Sequence, residues 1–194
     1  MIAAESGGTV EAVWFVGVAA AFALGAASCG GQSNKRTEYF SLHTTTSSQQ
    51  IGLSENGQII GPNLQLAPTP SGYRGMAASS MVDLRSDGEH ILGTINDRIV
   101  DLHVKVGPDG LLARGMFGGR LGRLEATNTG ITSNIGPCSY ELEVKGARYE
   151  GQRACSRGGM SIPSVRPAVV ELPPGFERLR PDRQAMLLAL LLCQ

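Results

Sequence analysis

Val100, Leu102, Val104 and Val106 alternate with Asp101, His103 and Lys105, and turn residues bracket this stretch on both sides. Strand side chains point to opposite faces in turn, so a period of two specifies a half-buried β-strand and does not fit a helix. The following Gly107-Pro108-Asp109-Gly110 is a strong turn, because proline presets φ and glycine accepts a left-handed conformation. The pattern recurs along the chain. Ser79 to Leu84, Ile91 to Asn96, Leu111 to Phe117, Arg120 to Ala126 and Ile131 to Ile135 are short apolar segments. Ser86-Asp87-Gly88-Glu89, Asp97-Arg98, Gly118-Gly119 and Asn128-Thr129-Gly130 separate them. Connections this short imply antiparallel strands in up-and-down order.

Pairing these strands by their turns places Val82, Gly93, Leu102, Gly115 and Gly122 on one line, with three glycines side by side on the inward face. A glycine row marks a bend or a close backbone approach, and such kinks let a sheet coil. A four-residue loop at 107–110 keeps Leu111, Ala113 and Phe117 inward. A three-residue loop would turn Leu112, Arg114 and Met116 inward instead. The first gives the more apolar face. The expected class is therefore mainly β: an antiparallel meander, strongly bent or closed into a small barrel, with a short C-terminal helix.

The cysteines supply an independent register. Place a two-residue turn at Gly146-Ala147, and Lys145 faces Arg148, Val144 faces Tyr149, Leu142 faces Gly151 and Tyr140 faces Arg153. Cys138 then lands opposite Cys155. Directly opposed residues of an antiparallel pair lie about 4.5–5.5 Å apart, within reach of a disulfide. The other reading is two buried free thiols. A disulfide here implies an oxidising compartment and leaves Cys193 unpaired.

Before the β pattern stands an apolar run of fifteen residues, Val13 to Ala27, ending in Ala26-Ala27-Ser28-Cys29-Gly30-Gly31. A spanning helix needs about 20 apolar residues, and a signal-peptide core about 7–15. The segment resembles a bacterial lipoprotein signal, with Ala26-Ala27-Ser28-Cys29 in the place of the lipobox. The resemblance covers the first 29 residues alone. It implies removal of residues 1–28, acylation of Cys29 with chains such as palmitate, and a membrane partner through that anchor. Gly30 after the cysteine is compatible, in that family, with sorting to the outer membrane. The domain would then lie in the periplasm or at the cell surface. Two other readings stay open: a different cleaved secretory signal, or an uncleaved anchor whose Lys35 and Arg36 keep the domain cytoplasmic.

This gives four regions: signal peptide 1–28, lipid-anchored tether 29–57, antiparallel β domain 58–165, and a Pro-rich connector with an apolar helix, 166–194. Ser, Gln and Gly dominate Ser47 to Gln58 and suit a tether, with Tyr39-Phe40-Ser41-Leu42 as an alternative first strand. Pro163, Pro167 and Pro173-Pro174 bracket an extended connector. Pro181 and Asp182 then start a helix, as helix N-termini favour. Its residues Ala185 to Leu192 are apolar all round. Either the helix packs against the barrel's open end, or Met186, Leu187, Leu190 and Leu191 form an interaction surface.

No reaction is spelled out. The formal net charge is zero, which argues against a nucleic-acid partner. His43, His90 and His103 have no metal-like spacing, and no nucleophile elbow, phosphate loop or zinc motif is present. The glycines of 115–122 lie between strands and read as hairpin turns. Asp83, Asp87 and Glu89 form a solvated turn, with weak cation binding as the sharper alternative. No cofactor is implied. The leading functional expectation is a non-enzymatic envelope lipoprotein, its β domain binding an envelope protein or supporting assembly. The alternative is a barrel carrier for a small apolar ligand or lipid. A third is a hydrolase, which requires at least two of Asp97, Asp101, His90 and His103 to meet in a cleft.

Overall fold

The computed structural model describes residues 37–156 and 163–193, so Cys29 and the apolar run Val13–Ala27 lie outside the described residues. Within them the chain forms a sheet of fourteen strands. The first seven are β1 (Thr37–Thr44), β2 (Ser48–Ser54), β3 (Ile59–Gly61), β4 (Leu64–Thr69), β5 (Gly72–Ala77), β6 (Ser80–Ser86) and β7 (His90–Ile95). There follow β8 (Arg98–Gly107), β9 (Gly110–Phe117), β10 (Arg120–Thr127), β11 (Gly130–Ser133), β12 (Cys138–Lys145), β13 (Arg148–Cys155) and β14 (Ser164–Glu171). Each strand pairs with the next, and β14 pairs with β1, which closes the meander into a barrel.

Two segments differ from the sequence expectation. Residues 37–57, read from composition as tether, contribute β1 and β2, whose alternate residues Phe40, Leu42 and Ile51 are fully buried. Ser and Gln occupy mainly the positions that face water, so polar composition concealed a strand. Residues 164–171 form the closing strand rather than a connector. Pro167 sits beyond the β1 pairing, which ends at Thr44–Ala168, and proline is tolerated at such an edge.

The four-residue turn at 107–110 keeps Leu111, Ala113 and Phe117 buried. Leu102, Gly115 and Gly122 share one cross-strand line, as the turns predict. Gly93 does not join it, pairing instead with Leu84 and Val100, while Val82 faces Ile95. Both flanking turns are the cause: Ser86 faces Ile91, so the β6–β7 turn sits one residue later than expected, and the β7–β8 turn uses Asn96 and Asp97 rather than Asp97 and Arg98. Asn96 and Asp97 adopt positive φ, 53° and 56°, a conformation that Asn and Asp tolerate. Moving the turn by one residue moves the pairing by two, so Gly93 stays on the inward face. Gly93 and Gly115 have φ of 145° and 141°, and a Cβ on either would collide with a neighbouring strand's carbonyl oxygen, Asp83 or Asp101. These are the kinks that let the sheet curl.

Successive turns of a meander alternate between two ends. At one end, here the base, lie the turns around 55–58, 70–71, 87–89, 108–109, 128–129 and 146–147. At the other, the mouth, lie those around 45–47, 62–63, 78–79, 96–97, 118–119 and 134–137. About eight strands give a ring that side chains alone can fill. Fourteen at a spacing of about 4.8 Å measure about 67 Å around, which is too wide.

Helix α1 (Pro181–Leu192) fills the difference. No residue from Ala185 to Leu192 is more than 5% exposed, on any side of the helix. It touches β1 and β2 as well as β7, β8 and β9, which stand across the ring from them. The helix therefore lies in the lumen, not as a cover over an open end. Met186, Leu187, Leu190 and Leu191 are buried among the strands and form no outward interaction surface. An all-round apolar helix has that fate when something surrounds it.

Its start is fixed at the base, where Ser86 Oγ donates to Asp182 at 2.6 Å and Arg180 donates to the same oxygen at 2.8 Å. A 3-10 turn, Phe176–Arg178, precedes it, and Phe176 packs edge-on against Phe40 with centroids 5.8 Å apart. At the mouth, the Tyr140 hydroxyl donates to the Leu192 carbonyl at 3.0 Å.

Truncating Leu188, which is fully buried, to Ala should lower the unfolding free energy by about 2–5 kcal/mol in urea titrations. Leu187→Ser and Leu191→Ser should lose the folded barrel, read as loss of the near-ultraviolet circular dichroism signal, and not merely weaken an association.

Candidate functional site at the mouth of the barrel

The two ends of the lumen are finished differently. Phe176 and the 3-10 turn pack over the base, whereas at the mouth the strands end around the last turn of α1. A cleft of about 310 Å³ remains there. Leu64, Ala77, Ile95, Phe117 and Leu190 supply its apolar wall, and Gln49, Asn63 and Cys193 its polar groups. Six strands or turns and the helix contribute. Gln49 points inward from β2 in step with buried Ile51, and its amide oxygen is buried without a hydrogen-bond donor. Leaving a buried acceptor unpaired costs about 1–3 kcal/mol, so such a group is either a strain point or a binding element.

Cys193 is the free cysteine among the described residues. Burial pushes its thiol up to about 12. It is therefore protonated at neutral pH and a poor nucleophile. Next to it, burial pushes the Tyr140 phenol up to about 12 as well, only partly offset by the Arg153 guanidinium, which lies 5.6 Å from the ring centre. Gly136 lets the mouth turn pass over Cys193, whose sulfur would strike a Cβ there.

Cys138 and Cys155 are directly paired and disulfide-bonded, with Cα atoms 4.1 Å apart. The register deduced from Gly146-Ala147 holds throughout this hairpin. The bond ties β12 to β13 beside Tyr140, and so braces the strand that holds the end of the helix.

Other candidate residues sit elsewhere. His90 and His103 are cross-strand partners on the outer face, with ring centres 4.1 Å apart. Asp101 follows them on that face, while Asp97 lies in a turn at the mouth. Asp87 caps its own turn by accepting from the backbone N–H groups of Glu89 and His90, which hold its carboxyl below the usual range. Asp83 pairs with Arg74. Among the described residues, no three His, Cys, Asp or Glu side chains converge as metal ligands.

A cluster missed in the sequence joins the barrel seam. His43 shares hydrogen bonds with Ser48 at 2.9 Å and Ser41 at 3.1 Å, and Ser41 donates to Glu171 on β14. It stands on the outer surface and bridges β1, β2 and β14. The larger depressions, about 600 and 720 Å³, are lined mainly by Arg, Ser, Thr, Asn and Glu. Among the described residues no helix is long and apolar enough to cross a membrane.

Comparisons with protein families, curated proteins and solved structures find no match for the chain. The architecture itself is that of a β-barrel, consistent with a binding or ligand-carrying domain.

The raised thiol and phenol carry a pH signature. The folded state holds these protons more tightly than the unfolded chain, whose thiol and phenol titrate near 9 and 10. Their stabilisation is complete below about pH 9 and is lost as pH rises toward 12. Tyr73 and Tyr149, also raised by burial, act in the same direction. The urea midpoint should fall between pH 8 and pH 10.5, and a Tyr140→Phe, Cys193→Ala variant should show a smaller fall.

Proposed function

We propose that the chain is a non-enzymatic lipoprotein of the cell envelope, in which acyl chains on Cys29 hold a binding barrel at the outer membrane, facing the periplasm or the cell surface. The observation that carries this reading is the Cys138–Cys155 disulfide, which a thiol-rich cytoplasm would keep reduced. It supports export without drawing on the lipobox-like segment.

The recovered strands β1 and β2 change the character of the anchor. Thr37 already belongs to β1, so only Gly30 to Arg36 separate it from Cys29. Eight residue steps reach at most about 28 Å when fully extended. The barrel is thus held close to the bilayer rather than on a long leash. β1 starts at the base, which this short segment holds nearer the lipid, leaving the mouth free for a partner or ligand. An envelope protein is the expected partner on this reading. The carrier alternative is restricted to the mouth cleft, because α1 occupies the lumen.

Mass spectrometry of the membrane-extracted protein tests the anchor. The expected mature chain begins at Cys29 with acyl mass added, and Cys29→Ser should release the barrel from the membrane fraction or leave the precursor uncleaved. An unmodified chain retaining Val13–Ala27 would overturn the reading.

A further inference from the structure

The mouth cleft combines two features that a mere packing defect need not share. Its volume, about 310 Å³, is about twice that of a cavity that accepts a benzene ring, so about a dozen non-hydrogen atoms fit. Its wall is apolar apart from Gln49, Asn63 and Cys193, and the Gln49 amide oxygen is buried with no donor.

We propose that this cleft is a binding site for a medium-length alkyl chain carrying one hydrogen-bond donor, an alcohol or primary amide head, with the donor satisfying Gln49 Oε1 and the chain lying along Leu64, Ile95, Phe117 and Leu190. The lumen cannot hold such a ligand, since α1 fills it, so the bound molecule sits at the end of the helix. This site names the ligand class of the binding domain proposed above. It rests on the barrel being a binding domain and not on acylation of Cys29.

Cys193 makes the site measurable. In the full chain carrying Cys29→Ser, with Cys138 and Cys155 bonded, it is the single free thiol of the four cysteines. Its alkylation by iodoacetamide, slow because the buried thiol stays protonated and therefore followed over hours at pH 8.5, reports cleft occupancy. Straight-chain alcohols from hexan-1-ol to dodecan-1-ol should slow the reaction, with half-protection tightening about fourfold per added methylene. The gain should stop near ten carbons, where the cleft is full. 1-Methoxynonane, an isomer of decan-1-ol without a donor, should bind about fivefold more weakly. Gln49→Leu should abolish that difference while retaining the chain-length dependence. Ala77→Trp, which fills the cleft, should remove protection by any alcohol.

Protection that is absent, that does not depend on chain length, or that keeps its alcohol preference in Gln49→Leu would overturn the proposal. The chain-length series needs no cleft substitution, so a variant that fails to fold leaves the test intact. The acyl mass on Cys29 is read on the native protein, so failure of the anchor and failure of the site are separate results.

Discussion

Everything in this barrel depends on the enclosure of α1. A ring of fourteen strands is too wide to be filled by its own side chains, and a helix apolar on every face has no stable place in water. Each solves the other's problem. The strands bury Ala185 to Leu192 completely or nearly so, and the helix gives Leu102, Ala113, Leu124 and Ile131 a dry surface to pack against. Fully burying a leucine stabilises by about 1.5–3 kcal/mol relative to exposure. The five leucines and the methionine of the helix therefore outweigh any surface ion pair in the molecule.

How far the fold could be read in the sequence follows from the range of the interactions. The Cys138–Cys155 register was legible because one turn, Gly146-Ala147, sets every pair in the hairpin. The same held for Gly115 beside Gly122, which Gly118-Gly119 brings together. Gly93 was misplaced because both turns flanking β7 lie one residue from the expected choice, one later at 87–90 and one earlier at Asn96-Asp97, where both residues take the left-handed conformation. β1, offered only as the alternative strand Tyr39–Leu42, and β2 were otherwise read as tether for a different reason. β1 closes on β14, more than a hundred residues away, and β2 is rich in Ser and Gln. The helix was legible as a helix, but its place in the lumen followed only from the number of strands.

The cleft at the mouth was not legible at all. Gln49, Asn63, Ile95, Phe117 and Leu190 come from separate elements and resemble ordinary strand, turn and helix residues. Only their convergence has meaning. The chemistry that local reading flagged instead, His90 with His103 or Asp83 with Asp87, resolves into a ring contact, an ion pair and a turn cap on the outer surface.

The pairing of β1 with β14 also sets an order of events. The seam joins Leu42 to Val170, so the ring cannot close until nearly the whole chain has been delivered. The lumen's filling, α1, comes later still. Hairpins such as β12–β13 form from neighbours, while the seam must wait for the slow meeting of distant segments. Until β14 has formed, the sheet therefore stays an open ribbon. It becomes a filled ring only when α1 arrives, and that helix is at once the final strand's sequel and the contents.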